Sequence, residues 1–520
     1  MHLKTKKFVN KDGTVTEYVQ LVESYRNTEG KPKHRVIASL GRKGDPKLQE
    51  KISRLTFKLA EMAGIKDLVD LNNDLTHQWS KSIGPKLVFR KLWNDLKFNE
   101  ILRGKYHEHI FMMVLNRLCD PKSKLSTMRW KETVYEPLWD NVQLHDLYRG
   151  LDWLMKRKDS VEVQIFRGTR DLFNQDVDLM LFDTTSISHW GSGENAQELL
   201  RFGHPKNKRN DLKQLMVGLL MTKEGIPIGH EVFPGNQIDL KSFPEILAKV
   251  RDKFQQLGRI IWVCDRGMIS EANLSLLEGL KQEYIIGVRM RQMESGFKAA
   301  LLDDHYLGYS KLSSNLFVKE RETNGKRYIV CYNPEQAKID GINREHFKEI
   351  IQRKVIEKTD KSWIVKNGYK KYLKLKEDII EEIDYERLEK EKIYDGKWVL
   401  LTNTKLSYSE VARYYKSLWQ IESAFKELRS TLDISPIYHW TERRIRGHVF
   451  MCFLALVLEL GFRKRLGKES YSRVMDDLKQ LHAVLTKVKD KVFLKRTDFI
   501  GKGDLAFRVV QLQIPGIDLT

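Results

Sequence analysis

Cysteine is scarce in this chain, with four residues among 520. They lie far apart, and no two have the short spacing of zinc sites or small disulfide frameworks. The fold is therefore not organised around a structural zinc site or a set of disulfides. We expect the protein to be located in a reducing cytoplasm. The cysteines are Cys119, Cys264, Cys331 and Cys452.

Long hydrophobic runs are also missing. The longest, Val449–Leu458, is about half of a membrane span, so we expect a buried helix there and no membrane association. The first residues, Met-His-Leu-Lys-Thr-Lys-Lys, have no apolar segment behind them and do not resemble a signal peptide. No Gly-x-x-x-x-Gly-Lys-[Ser/Thr] loop is present, so a nucleotide cofactor is not implied.

What the sequence has in excess is positive charge. Lys and Arg number 91 and Asp and Glu number 70, which gives a net charge of +21. A charge of this size favours a polyanionic partner, because each phosphate contact releases counterions and adds affinity. Basic residues occur throughout the chain and are densest in three segments, 201–213, 443–446 and 487–496.

A chain of 520 residues is too long for one ordinary core, and its periodicity changes several times. We predict a small N-terminal β element, a helical domain assigned to DNA binding, a catalytic core in two pieces, a β-rich insertion domain and a C-terminal region. For the helical domain, a plain helical bundle fits the pattern equally well. The boundaries are 1–42, 43–175, 176–290 together with 406–465, 291–405 and 466–520.

The catalytic core shows a regular order of elements. Its predicted strands and helices are Val177–Phe182, Leu215–Met221, Ile226–Phe233, helix Asp239–Leu257, Arg259–Cys264, helix Ser270–Leu280 and Tyr284–Arg289. The order β-β-β-α-β-α-β, with hairpin-connected strands followed by crossover strands, is that of an RNase H-like sheet. We therefore predict an α/β fold: an RNase H-like catalytic core interrupted by a mainly β insertion domain, with an N-terminal β element and a helical domain.

Two carboxylates close apolar strands of this core. Asp183 follows the first strand and Asp265 follows the fourth, and ligand sites of open α/β sheets form beyond the carboxyl ends of strands. We expect both side chains to project into one crevice. The alternative is that each residue only caps a turn. Asp176 and Asp178 compete for the first position, but both fall at the start of the strand, so Asp183 is preferred.

A late helical segment carries three more polar residues in register. Tyr415, Glu422 and Arg429 are spaced by seven and seven, which places them on one face of a helix. The alternative is an amphipathic surface helix with solvated charges. Because Asp183 and Asp265 lie upstream at strand ends, we predict that Glu422 joins them as the third carboxylate.

Three carboxylates gathered without partners would repel one another, and their pKa values would rise. Divalent cations remove this conflict, and ligands that are all oxygen favour Mg²⁺ or Mn²⁺ over zinc. Two ions per site would activate a water or a 3′-hydroxyl and stabilise the leaving oxygen of a phosphodiester. In a basic protein, such a site indicates cleavage and transfer of nucleic-acid strands.

The segments around these acids form a pattern that extends over most of the chain. They are Leu181-Phe-Asp183-Thr-Thr-Ser, Phe233-Pro-Gly-Asn236 with Asp239, Trp262-Val-Cys-Asp265-Arg-Gly-Met, Asp395-Gly-Lys-Trp-Val-Leu-Leu-Thr-Asn403 and Ile437-Tyr-His-Trp-Thr-Glu-Arg-Arg-Ile-Arg-Gly-His448. In these segments the chain resembles bacterial insertion-sequence transposases of the DDE class. It is most similar to the group with a β-strand insertion domain and the Tyr-Arg-Glu-Lys signature Y-x2-R-x3-E-x6-K.

The resemblance implies roles for the residues of the signature. Tyr415 and Arg429 would contact terminal phosphates of the mobile element, and Arg in place of the family's Lys keeps the charge and adds a fork suited to phosphate. Leu418 stands where the family has Arg, which departs from the pattern. Lys416 or Arg413 would then supply that contact.

Relatives of this class pass through a hairpin intermediate in which an aromatic side chain holds a flipped base. Trp363 or Trp398 of the insertion domain is suited to this role, since an extruded base stacks on an indole; the alternative for either is a core position. Further DNA contacts are assigned beside the second acid and in a basic loop after the first strand, for which a merely solvated loop is the alternative. These residues are Arg266, Lys206, Lys208 and Arg209.

The resulting hypothesis is a DNA transposase that cleaves the ends of an insertion sequence and joins them to target DNA by two-metal hydrolysis and transesterification. Its partner would be double-stranded DNA, namely the terminal inverted repeats and the target. We expect at least a homodimer in the synaptic complex, at the bacterial nucleoid. One alternative is a metal-dependent nuclease or resolvase of the same fold. Another is a catalytically silent DNA-binding regulator, against which the presence of all three acids argues.

Overall fold

The computed structural model describes residues 1–65, 75–173, 177–203, 209–237, 239–253, 259–268, 270–293, 302, 308–356, 373–376, 379–489 and 491–519. They divide into two compact units. The first comprises Met1–Ser80, Ala483–Thr497 and Pro515–Thr520, and the second comprises Lys81–His482 and Asp498–Ile514.

The first unit is built mainly from antiparallel strands. One sheet contains β1 (His2–Val9), β2 (Val15–Arg26) and β3 (Pro32–Arg42), and helix α1 (Pro46–Met62) follows it. A second sheet contains β4 (Leu75–Ser82), β16 (His482–Val488) and β17 (Lys491–Arg496). The alternation of apolar and polar residues in Tyr18–Tyr25 and His34–Leu40 predicts strands within β2 and β3. Strand β1 also lies within the predicted β element of residues 1–42, although it was not singled out, and all eight of its side chains are exposed.

Helices precede the large sheet of the second unit, as the apolar periodicity predicted. They are α2 (Gly84–Asp95), α3 (Phe98–Ile101), α4 (His107–Cys119), α5 (Lys124–Trp130), α6 (Leu144–Met155) and α7 (Lys158–Phe173). The stretch between residues 85 and 101 is two helices, because Lys97 adopts a left-handed conformation with φ of +58° and ends the first one.

A nine-stranded sheet lies in the second unit. Its core strands are β5 (Val177–Ser188), β6 (Gln214–Thr222), β7 (Pro227–Pro234), β8 (Arg259–Cys264) and β9 (Glu283–Gly287), with helices α8 (Asp239–Lys253) and α9 (Glu271–Gly279) in the crossovers. Strands β5, β6 and β7 are antiparallel neighbours, whereas β8 and β9 continue the sheet in parallel from β5. The predicted α/β class and the order expected of an RNase H-like core are confirmed.

Four strands of the insertion region extend this same sheet. They are β10 (Ser310–Ser313), β11 (Leu316–Thr323), β12 (Lys326–Tyr332) and β15 (Lys397–Thr402), and β15 pairs with β9. The region also contains α10 (Pro334–Ile356), the hairpin β13 (Leu373–Lys376) with β14 (Ile379–Ile383), and α11 (Tyr385–Lys390). Residues 362–365, where alternation in the sequence also predicts a strand, lie outside the described residues.

The segment predicted as one helix through residues 415 to 429 is two helices. Helix α12 (Tyr408–Lys416) begins at a capping box formed by Ser407 and Glu410, and helix α13 (Trp419–Ser430) follows after two residues. At the junction, the backbone N–H of Leu418 bonds to the carbonyl of Tyr415, three residues back. The prediction of one continuous helix is therefore wrong, because tight i→i+3 bonds replace the regular ladder at this turn.

Helix α14 (Glu442–Leu466) is a largely buried helix of the second unit. It is long and apolar enough to cross a membrane by length and composition, and 83% of its apolar window is buried inside the fold. The buried helix predicted at Val449–Leu458 is confirmed within it. Two short helices, α15 (Tyr471–Lys479) and α16 (Gly503–Val509), complete this unit.

Candidate active site

Asp183 lies on β5 at the point where the neighbouring strand β8 ends. The parallel pairing of the two strands runs to Phe182 and Cys264, and Asp183 and Asp265 are the next residues on each. The two acids therefore occupy adjacent positions, at about the 4.8 Å spacing of neighbouring strands. The prediction that the first strand ends at Phe182 is wrong: it continues to Ser188, because β6 pairs with it along this stretch.

The side chain of Asp183 is half-buried and is oriented by the backbone beside it. The backbone N–H of Thr184 donates to Asp183 Oδ1 at 2.7 Å. Thr185 lies two residues farther along, so it shares a face of the strand with Asp183. The Thr185 hydroxyl accepts a hydrogen bond from Arg429, in the last turn of α13. Arg429 thereby reaches the strand that carries the first acid.

Asp265 is exposed in the turn after β8, and one of its oxygens is engaged by the signature tyrosine. The phenol Oη of Tyr415 donates to Asp265 Oδ1 at 3.1 Å. Burial, together with the charge and the hydrogen bond of Asp265, raises the pKa of the Tyr415 phenol above its ordinary value. Tyr415 therefore remains a protonated donor at physiological pH.

Both carboxylates act on the buried thiol of Cys264, the last residue of β8. Cys264 is fully buried, and its pKa is raised first by burial and then by the charges of Asp183 and Asp265. This shared influence agrees with the register, which brings the two acids to the same edge of the parallel pairing. The thiol stays neutral at this position.

The close approach of Tyr415 to Asp265 depends on Gly287, the last residue of β9. A Cβ at this position would lie 2.2 Å from Tyr415 Oη and 3.0 Å from its Cζ. Nearby, Arg289 Nε donates to the carbonyl oxygen of Arg266 at 3.1 Å, which ties down the turn after Asp265. Sequence reasoning missed both Gly287 and Arg289. The only available signal was their place at the end of a strand next to the one that carries Asp265.

Glu422 lies in the first turn of α13, with an exposed side chain. Helix α13 packs against β5 and carries Glu422 in its first turn and Arg429 in its last turn. Among the described residues, no three His, Cys, Asp or Glu side chains converge closely enough to hold a metal ion. The structure thus brings Asp183 and Asp265 together and leaves Glu422 on the adjacent helix.

The residues assigned to DNA contacts differ in their surroundings. Arg266 is exposed next to Asp265 in the chain, Lys416 is exposed at the end of α12, and Leu418 is half-buried at the junction of α12 and α13. Arg209 is exposed and pairs with Asp211 through Nε and Nη2 at 2.8 Å each. Trp398 is half-buried on β15, opposite Cys331. The positions Lys206, Lys208 and Trp363 lie outside the described residues.

The carboxylates at this edge of the sheet offer oxygen ligands, which are those that Mg²⁺ or Mn²⁺ prefers, and the thiol of Cys264 is buried and stays protonated. Asp183 and Asp265 are adjacent, and Tyr415 occupies only Oδ1 of Asp265 by its hydrogen bond. In chemistry and placement, these two acids fit a divalent cation. Glu422 fits in chemistry and lies on a helix packed against the same strand.

Comparison with known proteins connects this architecture to a family. The model of the transposase DDE domain matches residues 175–458, and the model of the N-terminal domain of IS1634 family transposases matches residues 3–65. A search of curated proteins finds no match. The cryo-EM structure of the piggyBac transposase synaptic complex with hairpin DNA is similar at 10% identity and a TM-score of 0.37, over 77% of this chain and 80% of that one. Because the DDE model spans more than half of the sequence, the chain belongs to the DDE transposases of insertion sequences.

Proposed function

We propose that this transposase cleaves DNA at the ends of an insertion sequence and joins the freed ends to target DNA. Asp183, Asp265 and Glu422 are the catalytic, metal-binding acids of this proposal. The observation that carries it is the strand register, which puts Asp183 and Asp265 one residue past the last parallel pair. Ligand sites of α/β sheets form at this end of parallel strands.

Transposases with this domain generally use divalent metal ions. Two bound Mg²⁺ or Mn²⁺ ions would supply an activated water or 3′-hydroxyl and stabilise the leaving oxygen of the phosphodiester. The oxygen donors of Asp183, Asp265 and Glu422 would hold them. Glu422 is exposed on a helix that packs against the strand of Asp183, so side-chain rotation and small helix shifts are the movements that would bring it in.

In this proposal Tyr415 is first a positioning residue. Its hydroxyl donates to Oδ1 of Asp265, which fixes the carboxylate and leaves Oδ2 as the oxygen for a cation. Gly287 provides the space for the phenol ring. A hydroxyl held beside the acids is also well placed to donate to a DNA phosphate, which is the role that the resemblance assigned to it.

The DNA strand is held by cations next to the acids. Arg429 contacts Thr185, two residues beyond Asp183 on the same strand, and this proximity supports a role in holding a phosphate next to the scissile bond. Lys416 and Arg266 are exposed and complete this group. We keep Arg209, Lys206 and Lys208 as contacts farther along the duplex and Trp398 as a candidate for base stacking.

Both ends of a mobile element must be cut in one complex, so the working form is proposed to contain at least two copies of the chain. Double-stranded DNA is the partner, with terminal inverted repeats as substrate and a second duplex as target. The place of action is the bacterial nucleoid.

Cleavage of terminal-repeat DNA in Mg²⁺ tests the assignment of the acids. We expect Asp265→Ala and Glu422→Gln each to lower the cleavage rate by about 10³-fold or more, because each removes a ligand to the ions. Glu198→Gln, at an exposed acid of the same unit, is the matched control and should cleave normally. Cleavage at the wild-type rate by Asp265→Ala or Glu422→Gln would contradict the assignment of these residues as catalytic acids.

A joining assay separates a transposase from a nuclease or resolvase of the same fold. Pre-cut terminal repeats with a free 3′-hydroxyl are offered together with a target duplex and Mg²⁺. We expect joined products in wild type and none in Asp265→Ala. Cleavage of intact ends without any joining would favour the nuclease.

A further inference from the structure

A second charged site lies at the far end of β5, where the loop of residues 432–439 meets the strand. The Ser435 hydroxyl donates to the carbonyl of Ser188 at 3.2 Å, and His189 forms a backbone bridge with Ile437. Beside this loop is a cavity of about 450 Å³, named here the 432–439 cavity. Its lining residues come from 117–126, Tyr148, 433–439 and His448.

Arg117, in the last turn of α4, is one of two buried cations in this cavity, with 5% of its surface exposed. Its guanidinium donates to the backbone carbonyls of Asp433 and Lys122, both at 2.9 Å. Its Nε has no hydrogen-bond partner. Within the part of the chain that the structure describes, no carboxylate lies within ion-pair distance of it. Arg117 therefore joins two loops and still carries an uncompensated charge.

Lys124, the first residue of α5, is the second buried cation, with 4% of its surface exposed. Its Nζ lies 3.3 Å from Met451 Sδ, a weak acceptor, and no ion pair is found for it among the residues with described positions. Burial, followed by the charge of Arg117, lowers the pKa of Lys124 to about 7. A lysine in this setting gains more from an incoming anion than one on the surface does.

The other groups at this cavity add little negative charge. His439 and His448 are held neutral, because burial and the neighbouring cations lower the pKa of His439 to about 3 and that of His448 well below its ordinary value. The one carboxylate that lines the cavity is Asp433, whose residue is exposed. Among the lining residues, the two buried charges are positive and the acid lies at the surface.

We propose that the 432–439 cavity binds a phosphate group, with Lys124 as the principal cation and Arg117 beside it. Ser123 and Ser126 also line the cavity and provide hydroxyl donors. An oxyanion of this kind would supply the counter-charge that Lys124 lacks and would accept from several donors at once. The phosphate comes either from a DNA strand or from free phosphate in solution.

The position of the cavity favours DNA as the source, a choice that rests on the proposed function. From Asp183 to Ser188 is five residues, or about 16 Å along the strand. Arg429, at Thr185, lies between these two points. A strand whose scissile bond lay at the acids would thus have a second phosphate within reach of Lys124, a few nucleotides away.

Thermal unfolding of the full chain in inorganic phosphate tests the site without any cleavage reaction. Compared with chloride at the same ionic strength, phosphate should raise the Tm of wild type by about 2–4 °C. In Lys124→Met this rise should vanish, whereas Lys468→Met, which removes an exposed lysine from the same unit, should keep it. An equal phosphate-induced rise in wild type and Lys124→Met would overturn the proposal, as would no rise in wild type.

Competition identifies the source of the phosphate. A terminal-repeat duplex is titrated into wild type in phosphate and in chloride, again at matched ionic strength. If DNA provides the group, phosphate should weaken duplex binding to wild type and not to Lys124→Met. If duplex binding is equal in both buffers while the phosphate-induced rise in Tm remains, the cavity takes free phosphate. Either result supports a phosphate site, and the two results identify different sources.

Acylation of lysines in wild type provides a measurement that does not depend on a variant that folds. An amine-reactive acetylating reagent is applied at pH 8 and the modified lysines are mapped by mass spectrometry. Phosphate should slow the modification of Lys124 several-fold relative to Lys468. Unchanged modification of Lys124 in phosphate would overturn the proposal.

Discussion

Charge is handled in opposite ways at two places along strand β5, named here the carboxylate end, around Asp183 where the pairing with β8 stops, and the cation end, around Ser188 where the strand stops. At Asp183 the charges are carboxylates in exposed or half-buried positions, one of them oriented by a tyrosine hydroxyl. At Ser188 the charges are cations, Arg117 and Lys124, which are almost fully buried and have no carboxylate partner within the described chain. Only a few residues of one strand separate the two arrangements.

The two places differ in the energetic cost of their charges before any ligand binds. Exposed carboxylates are solvated, so the acids at Asp183 carry only a modest energetic penalty before a cation arrives. A buried, unpaired lysine is poorly solvated and destabilises the folded chain continuously. Removing an acid at the carboxylate end should therefore abolish function with little change in stability. Removing the buried lysine at the cation end should abolish phosphate binding and raise stability. Single substitutions should show this difference.

The largest effect is expected at the carboxylate end. Asp183→Asn should lower the rate of DNA cleavage by about 10³-fold or more, because it removes a metal ligand. It should leave the phosphate-induced rise in Tm unchanged, since the cation end is intact. The cleavage rate and the Tm are measured on the same preparation, with Asp476→Asn as the control at an exposed acid. A variant that loses both properties would break the separation of the two ends.

Gly287→Ala should have the next largest effect. The added Cβ would lie 2.2 Å from Tyr415 Oη, so the phenol must leave Asp265. We expect a loss of about 10- to 100-fold in cleavage rate, in line with small displacements at reacting centres. Gly279→Ala is the control, because its Cβ meets nothing within 4 Å.

A double variant shows whether the effect of Gly287→Ala passes through the tyrosine. In a Tyr415→Phe background the hydroxyl that meets the new Cβ is gone, so Gly287→Ala should add little further loss. Additive losses in the double variant would mean that Gly287 acts elsewhere.

Arg429→Ala should weaken the binding of terminal-repeat DNA by about tenfold, the usual contribution of a charge-assisted contact to phosphate. The slope of log affinity against log salt concentration should become shallower by about 1, because one fewer counterion is released on binding. Binding is measured over a salt series, and Arg353→Ala, at an exposed arginine of the same unit, controls for the loss of net charge. A salt dependence identical to that of wild type would contradict a phosphate contact.

The smallest effect, and the one of opposite sign, is expected at the cation end. Lys124→Met should raise the Tm by a few degrees near pH 6, because methionine removes a buried charge of similar volume. The pKa of Lys124 is lowered to about 7 in the folded chain, so the unfolded chain binds the extra proton between about pH 7 and 10.5. The penalty of the native lysine is thus full below pH 7 and fades as pH rises.

The Tm difference between Lys124→Met and wild type should therefore shrink from pH 6 to pH 9. His439 and His448 do not interfere in this range, because their lowered pKa values keep them neutral, and Arg117 stays charged. A difference that grows with pH would contradict the assignment.

Much of the fold could be predicted from the sequence, because its elements have clear periodicity. The strand before Asp265 and the buried helix at Val449–Leu458 were confirmed. The break between α12 and α13 was not predicted, since Lys416-Ser-Leu contains no Gly or Pro to mark it. Within the predicted β element of residues 1–42, the strand His2–Val9 was not singled out, and its side chains, all exposed, do not divide into a buried and a solvent face.

The part of the candidate site that could be predicted from the sequence consists of acidic residues at the ends of apolar strands. Asp183 and Asp265 were assigned in this way, and their roles stay predictions until cleavage is measured. Gly287 was beyond reach, because its importance comes from an approach between segments more than a hundred residues apart. Lys124 was beyond reach for a related reason: a lysine in a basic chain is normally solvated, and the burial of Lys124 arises from tertiary packing, which includes its contact with Met451 of α14.

The pairing of β15 with β9 determines which residues a shortened form of this protein must retain. Residues from the insertion region cover the flank of β9 along Ile285, Ile286 and Gly287. A shortened chain without residues 291–405 would leave that flank with open amide and carbonyl groups on an apolar strand, a template for association with other chains. The insertion region thus covers the edge of β9 in the catalytic sheet. A minimal catalytic fragment has to keep Lys397–Thr402 or replace it with another strand.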